Sequence, residues 1–288
     1  MTQPMNRAPE KRPLSLAHLT AIDLPPPALI HAAAKAGFDA VGLRLLRVTP
    51  TSPGYPLMQD PAQLRATQDA LSATGLRVHE IEFVKLEPDT DPAHLCAFLD
   101  TGAALGAREV ICAPYDPDLT RLADRLGALA DLAAARDLGV SLEFFPWTVV
   151  PSLEAALRVV EQAGPTAGIL VDSLHFNRST SRRGTLTALP AQRLRFAHLC
   201  DARVAPPYTT DSLLHTARED RLPPGQGDID LVDFLRALPA DLPLGLEVPR
   251  PAPADPADSI AEIMRATQDL LRKTDGAHHI ADPTAEGH

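Results

Sequence analysis

Four polar side chains each lie at or near the end of a short apolar run in the second half of the chain: Glu143 in VSLEFF, Asp172 in AGILVD, His198 in RFAHLC and Glu247 in LGLEV. If these run ends meet in one dry place, the three carboxylates raise one another's pKa, and the loss of hydration adds to that effect. A divalent cation relieves this repulsion. Oxygen-rich ligands with one histidine suit Mn²⁺, Mg²⁺ or Co²⁺, with Zn²⁺ as an alternative. We therefore predict that Glu143, Asp172, His198 and Glu247 bind one divalent metal ion.

The run ends can meet only if the runs are neighbouring strands of one sheet. Short apolar runs alternate along the chain with Ala- and Leu-rich stretches of helical spacing, which predicts strands connected by helices. This alternation favours a parallel sheet, because parallel strands need crossover connections. The eight predicted strands are residues 14–20, 40–46, 77–84, 109–115, 140–145, 167–172, 195–200 and 244–248.

Eight such units are typical of a single-domain (β/α)8 TIM barrel, and this is the α/β fold that we predict. In such a barrel the carboxyl ends of the strands surround one mouth, and alternate residues of each strand point inward. A doubly wound open sheet is the alternative, but no G-x-G-x-x-G follows the first predicted strand. The predicted helices are residues 26–36, 61–74, 92–105, 118–138, 152–163, 185–192, one that begins near Asp228 or Asp230, and 256–273.

Glycines and the two polar ends set the predicted boundaries. Gly37, Gly75 and Gly139 follow three predicted helices, and each is predicted to end its helix. Both ends of the chain are polar and contain proline. We therefore predict one barrel domain at residues 13–274, with flexible tails at 1–12 and 275–288.

The amino-acid composition indicates which classes of binding partner and which cellular location to expect. The chain has 288 residues, 45% of them hydrophobic, and a formal net charge of −10 at pH 7. An acidic chain without a basic run does not attract a phosphate backbone, so we expect no nucleic acid partner. Its three cysteines are widely spaced, which indicates reduced thiols. No stretch has the apolar length of a membrane span or of a signal peptide, so we expect no membrane association and a cytoplasmic location.

Four stretches of the chain resemble the xylose isomerase-like TIM barrels, the sugar phosphate isomerase/epimerase superfamily. They are LVDSLHF, FAHLCDA, RLPPGQGDIDL and LEVP, and the resemblance extends over residues 14–273. It implies that Glu143, Asp172, His198 and Glu247 are the metal ligands. It also implies that Glu143 and Glu247 are a catalytic acid and base pair.

The activity that this resemblance implies is a divalent-metal-dependent isomerase or epimerase acting on a small polyhydroxy carbonyl compound. One carboxylate removes the proton beside the carbonyl group, and an enediolate forms that the metal stabilises. Return of the proton to the opposite face gives an epimer, and its return to the neighbouring carbon gives an isomer. The resemblance further implies a homo-oligomer, either a dimer or a tetramer.

Two substrate-binding residues follow from the same resemblance. His175 lies three residues after Asp172 and corresponds to the family's substrate-binding histidine; the alternative is a histidine that caps the strand or orients Asp172. Arg221 is the preferred match for an arginine that contacts substrate oxygens. Its alternative is a surface ion pair with Glu219 or Asp220.

Other candidates come from the position of polar residues in the first three predicted strands. His18 lies near the end of the first strand, and Arg44 lies in the second. Glu80 and Glu82 share one face of the third strand, since alternate residues point the same way. We predict that His18 and Glu82 contact the substrate, and the alternative for Glu82 is a charge at the rim of the barrel.

One departure from the family changes the expected substrate. Ketose 3-epimerases of the family carry a second glutamate after the fifth strand, where this chain has EFFPWTVV. We interpret Trp147 as a substrate-binding residue in an apolar wall that suits a planar or cyclic compound. The alternative function is therefore a metal-dependent dehydratase or lyase acting on a cyclic ketone such as inosose or dehydroshikimate. A third alternative is a non-catalytic metabolite-binding barrel.

Overall fold

The computed structural model describes residues 12–251 and 255–276, and it shows a closed barrel of eight parallel strands with helices between them. Each strand pairs with its neighbours in the chain, and the last strand pairs with the first. The prediction of a single-domain (β/α)8 TIM barrel is confirmed. The strands are β1 Leu14–Leu16, β2 Ala40–Arg44, β3 Arg77–Leu86, β4 Glu109–Pro114, β5 Gly139–Glu143, β6 Ala167–Asp172, β7 Leu194–Leu199 and β8 Leu244–Leu246.

Helices cover the outside of the barrel, and each predicted helix has a counterpart. The first two helices have the predicted bounds, and the side chain of Asp230 caps the helix that was predicted to begin near Asp228 or Asp230. The α-helices are α1 Pro26–Ala36, α2 Pro61–Thr74, α3 Cys96–Ala104, α4 Leu119–Ala134, α5 Leu153–Ala163, α6 Ser173–Arg178, α7 Arg183–Thr187, α8 Thr210–Glu219, α9 Leu231–Ala237 and α10 Pro256–Gly276. Short 3-10 helices occur at His18–Ala21, Leu57–Gln59 and Pro92–Leu95.

The glycine signals at helix ends are confirmed in two of the three cases. Gly37 and Gly75 end α1 and α2 with φ of 90° and 73°, a left-handed conformation that glycine adopts without strain. The prediction for Gly139 is wrong, because α4 ends earlier and Gly139 begins β5. A Cβ atom there would lie 2.1 Å from Arg195 Nη1 and 2.2 Å from Glu109 Oε1. Gly139 therefore makes room for the ion pair between Arg195 and Glu109.

The strands are buried on both faces, as expected for a parallel sheet inside a ring of helices. Every residue of β2, β4 and β6 is buried. Leu170 and Phe196 form a small apolar cluster with Ile111, apart from the large core. They lie two residues before Asp172 and His198, so they share the inward face of their strands. The same face of the sheet thus carries apolar residues first and the candidate ligands at its carboxyl end.

The predicted tails, residues 1–12 and 275–288, lie almost entirely outside the described residues, although α10 extends to Gly276. None of the helices within residues 12–251 and 255–276 combines the length and the apolar character that crossing a bilayer demands.

Candidate metal centre and active-site cavity

The pairing register of the last four strands brings the candidate ligands to one level. Glu143 and Asp172 are the final residues of β5 and β6, and Glu247 directly follows β8. Asp172 pairs with His198, and His198 pairs with Gly245. Because the strands are parallel, these carboxyl ends meet at the same mouth of the barrel.

The four predicted metal ligands come together in the structure. One ligand atom from each of Glu143, Asp172, His198 and Glu247 lies within 4.8 Å of the others, and all four side chains are buried. Glu143 Oε1 and both ring nitrogens of His198 have no hydrogen-bond partner among the described residues. Buried polar atoms are rarely left unpaired unless a ligand binds them. Three carboxylates and one imidazole fit a divalent cation, so this cluster is a candidate site for one metal ion.

Arg221 lies inside the cluster rather than on the surface. Its side chain is 2% exposed, with Nη1 2.6 Å from Asp172 Oδ2 and Nη2 2.8 Å from Glu247 Oε2. Its Nε donates to the carbonyl oxygen of Ala217 at 2.9 Å. The alternative of a surface ion pair with Glu219 or Asp220 is therefore wrong. The guanidinium balances part of the negative charge and holds two of the carboxylates in place.

Asp172 is fixed from its other side by backbone. Its Oδ1 accepts hydrogen bonds from the amides of Leu174 and His175, at 2.7 and 3.1 Å, and so caps the short helix α6. An aspartate at this position suits the N-terminus of a helix. Asp172 thus joins the strand end, the helix and Arg221 through one carboxylate.

The surroundings shift the pKa values of the four candidate ligands in two directions. Burial and the neighbouring Glu247 carboxylate raise the pKa of Glu143 well above its usual value. Burial also acts to raise the pKa values of Asp172 and Glu247, but Arg221 and the neighbouring histidines together outweigh burial and lower both pKa values. Burial acts to lower the pKa of His198, whereas the surrounding carboxylates raise it to about 10. Without a metal, these surroundings favour the ionised forms of Asp172 and Glu247 and the protonated form of Glu143.

His175 lies against the cluster with a neutral ring. Its Nε2 is 3.6 Å from Glu143 Oε1, and burial lowers its pKa to about 4. The ring makes edge contacts with Phe145 and Trp147, whose centroids lie 4.8 and 5.2 Å away. Its Nδ1 has no hydrogen-bond partner within the described residues. A neutral imidazole in this position can donate one hydrogen bond and accept another.

A cavity of about 340 Å³ opens above the cluster. Glu143 and Glu247 both face it, and so do His175 and Arg221. The remaining walls are largely apolar. They include Leu19, Phe83, Tyr115, Phe145 and Trp147, with Arg44 and Arg218 as further charged residues. A volume of this size is at the lower end of the range for small-molecule sites.

The match to a family agrees with this geometry. The family model described as xylose isomerase-like TIM barrel matches residues 30–273. The chain belongs to this family. Its resemblance to the family, stated above on four motifs, is thereby confirmed.

Two curated proteins and one solved structure show what the chain is similar to. It is 33% identical over 132 residues to a 3-dehydroshikimate dehydratase of Pseudomonas aeruginosa, covering 44% of this chain and 20% of that protein. It is 29% identical over 154 residues to an inosose isomerase of Bacillus velezensis, covering 49% of this chain and 52% of that protein. The chain thus matches a fifth to a half of the length of these relatives. The IolI protein, solved with a bound zinc atom, superposes with a TM-score of 0.76 at 22% identity, covering 91% of this chain and 99% of that one.

These family relatives are a dehydratase and an isomerase, which supports an enzyme of this superfamily. The structural match at 22% identity supports the fold alone.

Two other residues predicted to contact the substrate, His18 and Glu82, are not among the described residues that line the cavity. His18 is fully buried and is not among the described residues that line the cavity. Its Nδ1 accepts from the backbone amide of Arg44 at 2.9 Å, and its Nε2 lies 2.9 Å from the carbonyl oxygen of Leu24. The ring stacks on Tyr55 at 5.0 Å. Both nitrogens are thus engaged by backbone, and the residue connects β2 to the loop after β1.

Glu82 is connected to the cavity through its ion pair with Arg44. Its Oε2 is 3.2 Å from Arg44 Nη2, and it is Arg44 that lines the cavity. The guanidinium of Arg44 lies 5.5 Å from the ring of Phe83. Trp147, in contrast, lines the cavity directly and stacks on Phe145 at 5.0 Å.

Several cavity residues carried no signal that singled them out. Leu19 lies in the 3-10 helix after β1, Phe83 lies within β3, and Tyr115 directly follows β4. Aromatic residues make up only 4% of the chain, so an aromatic side chain at a strand end is itself a usable indication. Trp147 was identified in another way, from the position where the family's ketose 3-epimerases carry a second glutamate.

Proposed function

We propose that the protein is a divalent-metal-dependent isomerase or epimerase that acts on a small cyclic polyhydroxy ketone through an enediolate. The observation that carries this proposal is the pair of carboxylates, Glu143 and Glu247, that belong to the metal cluster and also face one cavity. A metal centre beside two proton-transfer groups suits proton abstraction next to a carbonyl group.

The residues that would hold the ion are Glu143, Asp172, His198 and Glu247. When bound, a divalent cation supplies the positive charge that stabilises a developing enediolate oxygen. Mn²⁺, Mg²⁺ and Co²⁺ suit this oxygen-rich set, and Zn²⁺ is supported by the zinc atom in the solved IolI protein.

The side chains around the cavity have separate roles in proton transfer and in substrate binding. Glu247, held ionised by Arg221, is the base that removes the proton beside the carbonyl group. Glu143 faces the same cavity and is the group that returns a proton to the carbon skeleton. His175, whose ring is neutral, donates one hydrogen bond to a substrate oxygen through its single N–H group. Arg221 contacts a second oxygen and keeps Glu247 oriented.

The cavity walls favour a ring over an open-chain sugar. Phe83, Phe145 and Trp147 present apolar faces to the cavity, and the volume of about 340 Å³ suits one small ring. The names of both relatives refer to cyclic ketones, inosose and 3-dehydroshikimate. This supports a cyclic substrate and leaves open-chain ketoses as the less favoured class.

Deuterium exchange tests the proposal. The protein is loaded with Mn²⁺ or Co²⁺ and incubated in D₂O with inosose, with ketoses and with 3-dehydroshikimate, and deuterium is located by NMR. We expect deuterium at the carbon next to the carbonyl group, together with an isomeric product. Glu247→Gln should abolish this exchange while circular dichroism shows an unchanged fold. Glu161→Gln is the control for the loss of one carboxylate, since Glu161 is exposed on α5 and is not among the described residues that line the cavity. Exchange that persists in Glu247→Gln would contradict the acid and base assignment.

A dehydratase is the second candidate, and one observation favours it. The relative of highest identity among those described above is a 3-dehydroshikimate dehydratase. The same proton abstraction followed by loss of water gives a conjugated product that absorbs in the ultraviolet. Absorbance growing with 3-dehydroshikimate or inosose would identify this reaction, whereas the absence of both exchange and absorbance would leave a metabolite-binding barrel.

A further inference from the structure

One buried carboxylate has no part in the proposed reaction. Glu80, in β3, is 0% exposed, and it is not among the described residues that line the cavity. Its Oε2 accepts from Ser15 Oγ at 3.4 Å, and its Oε1 has no partner within residues 12–251 and 255–276. Burying a carboxylate is costly unless it is paired and hydrogen-bonded. Burial raises the pKa of Glu80 to about 8, whereas the neighbouring His198 acts to lower it. The ionised form of Glu80 therefore needs a partner that compensates for its burial.

The group that faces the free oxygen of Glu80 is the metal ligand His198. Glu80 Oε1 lies 3.9 Å from His198 Nε2, and each of these two atoms lacks a hydrogen-bond partner in the described part of the chain. On the other side of the ring, His198 Nδ1 lies 3.8 Å from Glu247 Oε2. One ring nitrogen thus faces the metal cluster, and the other faces Glu80.

Two glycines in the sheet make room for this arrangement. Gly42 of β2 pairs with Glu80, and a Cβ atom on it would lie 2.1 Å from Glu80 Oε1. Gly245 of β8 pairs with His198, and a Cβ atom on it would lie 2.6 Å from His198 Cδ2. The same Gly245 Cβ would lie 3.7 Å from Glu80 Oε1. Any larger residue at Gly42 or Gly245 would displace one of the two side chains.

We propose that Glu80 is a positioning residue that orients His198 as a metal ligand. With a metal bound, its carboxylate would accept the Nε2 proton of the imidazole, and the Nδ1 lone pair would be directed at the cluster. The separation of 3.9 Å is longer than a hydrogen bond, so a small shift of either side chain completes the contact. Carboxylate partners of this kind fix the tautomer and the ring orientation of metal-bound histidines. This inference rests on the metal site of the proposed function, but not on the reaction or the substrate.

Metal affinity, measured without any substrate, tests the inference. Wild type and Glu80→Gln are titrated with Co²⁺ and Mn²⁺ by calorimetry, and the visible absorption of bound Co²⁺ is recorded. We expect Glu80→Gln to weaken metal binding about 10- to 100-fold, the usual effect of losing such a partner. We also expect an altered Co²⁺ spectrum, because the orientation of the imidazole changes the ligand field.

The matched control is Glu109→Gln. Glu109 is another buried carboxylate on a strand, and it also accepts from a serine, Ser141, at 3.0 Å, but its charged partner is Arg195. Its substitution should lower stability without changing metal affinity. If Glu80→Gln does not fold, Ser15→Ala replaces it, because this change removes the hydroxyl that holds Glu80.

The outcomes separate this inference from the proposed function. A wild-type protein that binds no divalent metal overturns the metal-dependent function itself. A wild type that binds metal, with an affinity and a Co²⁺ spectrum that Glu80→Gln shares, overturns only the role of Glu80. If Ser15→Ala has to be used, an affinity within about twofold of wild type has the same consequence.

Discussion

The guanidinium of Arg221 lies between two carboxylates of the candidate metal centre. Its two terminal nitrogens contact Asp172 and Glu247 at 2.6 and 2.8 Å, and the residue is almost fully buried. A planar guanidinium suits two carboxylates at once better than an ammonium group does. Removing one member of a buried ion network leaves the others without compensation, which costs about 3–5 kcal/mol.

Arg221→Gln should therefore destabilise the metal-free protein by about 3–5 kcal/mol. Urea unfolding in the presence of EDTA measures this change, and Arg203→Gln is the control. Arg203 is exposed and pairs with Asp228 at 3.3 Å, so its loss should change the free energy of unfolding by less than about 1 kcal/mol. Equal effects of the two substitutions would show that Arg221 does not compensate the cluster.

His18 gives a prediction about acid stability. Its folded-state pKa is lowered from 6.5 to about 4, first by burial, while Nδ1 accepts from a backbone amide. Between these pH values the unfolded chain binds a proton at this histidine and the folded chain does not. The contribution of His18 to the free energy of unfolding should therefore be complete above pH 6.5. It should decrease as the pH drops toward 4, by on the order of 3 kcal/mol.

The His18 effect is isolated by comparison with His18→Gln, which does not titrate. The stability difference between wild type and this variant, measured by urea unfolding, should shrink as the pH falls from 7 to 4. A pH-independent difference would show that His18 does not titrate in this range. Loss of substrate affinity at pH 7 with unchanged stability would instead favour its earlier interpretation as a substrate-binding residue.

Residue types at strand ends were sufficient to predict the cluster. Glu143, Asp172, His198 and Glu247 interrupt apolar runs, and a parallel barrel brings the carboxyl ends of its strands together. The ion pair between Arg221 and Asp172 could not be predicted in the same way. The two residues are 49 positions apart, and the arginine follows a helix that the periodicity did not reveal.

At the scale of elements, periodicity predicted the helices that bury an apolar stripe and missed those that do not. The bounds of α1 and α2 were predicted, and both end at a left-handed glycine. Helix α8, TDSLLHTARE, was not predicted, because Ala217 is its only buried residue. Helix α6 has six residues and begins at the cap formed by Asp172. Such short or polar helices depend on caps and neighbours more than on hydrophobic spacing.

The cap of α8 links this element to the cavity. Thr209 forms a capping box with Ser212, and the last turn of α8 supplies Ala217, Arg218 and Glu219 to the cavity wall. Thr209→Ala should remove about 1 kcal/mol of local stability and speed hydrogen exchange in α8. Because the wall becomes less ordered, we expect KM to rise a few-fold with kcat changed less.

The control for this prediction is Asp118→Ala. Asp118 caps α4 through the amides of Thr120 and Arg121, and α4 supplies none of the described residues in the cavity wall. Its loss should lower stability by a comparable amount and leave KM unchanged. A rise in KM in both variants would mean that the effect comes from general loosening of the barrel and not from α8.

At the scale of the whole molecule, the candidate ligands come from four consecutive strands or their ends. Glu143, Asp172 and His198 belong to β5, β6 and β7, and Glu247 follows β8. An ion bound by all four would connect half of the barrel's circumference. Because the unfolded chain does not hold these groups together, such binding stabilises only the folded state.

Metal addition should therefore raise the Tm of the whole domain. At a free metal concentration of 100 times Kd, the expected gain is about 2.7 kcal/mol in the free energy of unfolding. Differential scanning calorimetry across a series of Mn²⁺ or Co²⁺ concentrations measures it. The increase should continue with concentration, in proportion to the logarithm of the excess over Kd.

Glu143→Gln is the variant that makes this prediction decisive. The raised pKa of Glu143 means that the metal-free protein already tolerates a neutral group there, so the amide should leave the metal-free Tm nearly unchanged. The same amide is a poorer ligand than a carboxylate, and the rise in Tm with metal should shrink or vanish. A variant whose Tm rises with metal as much as that of wild type would show that the ion binds elsewhere on the molecule, and the assignment of the four strand ends as its ligands would then be wrong.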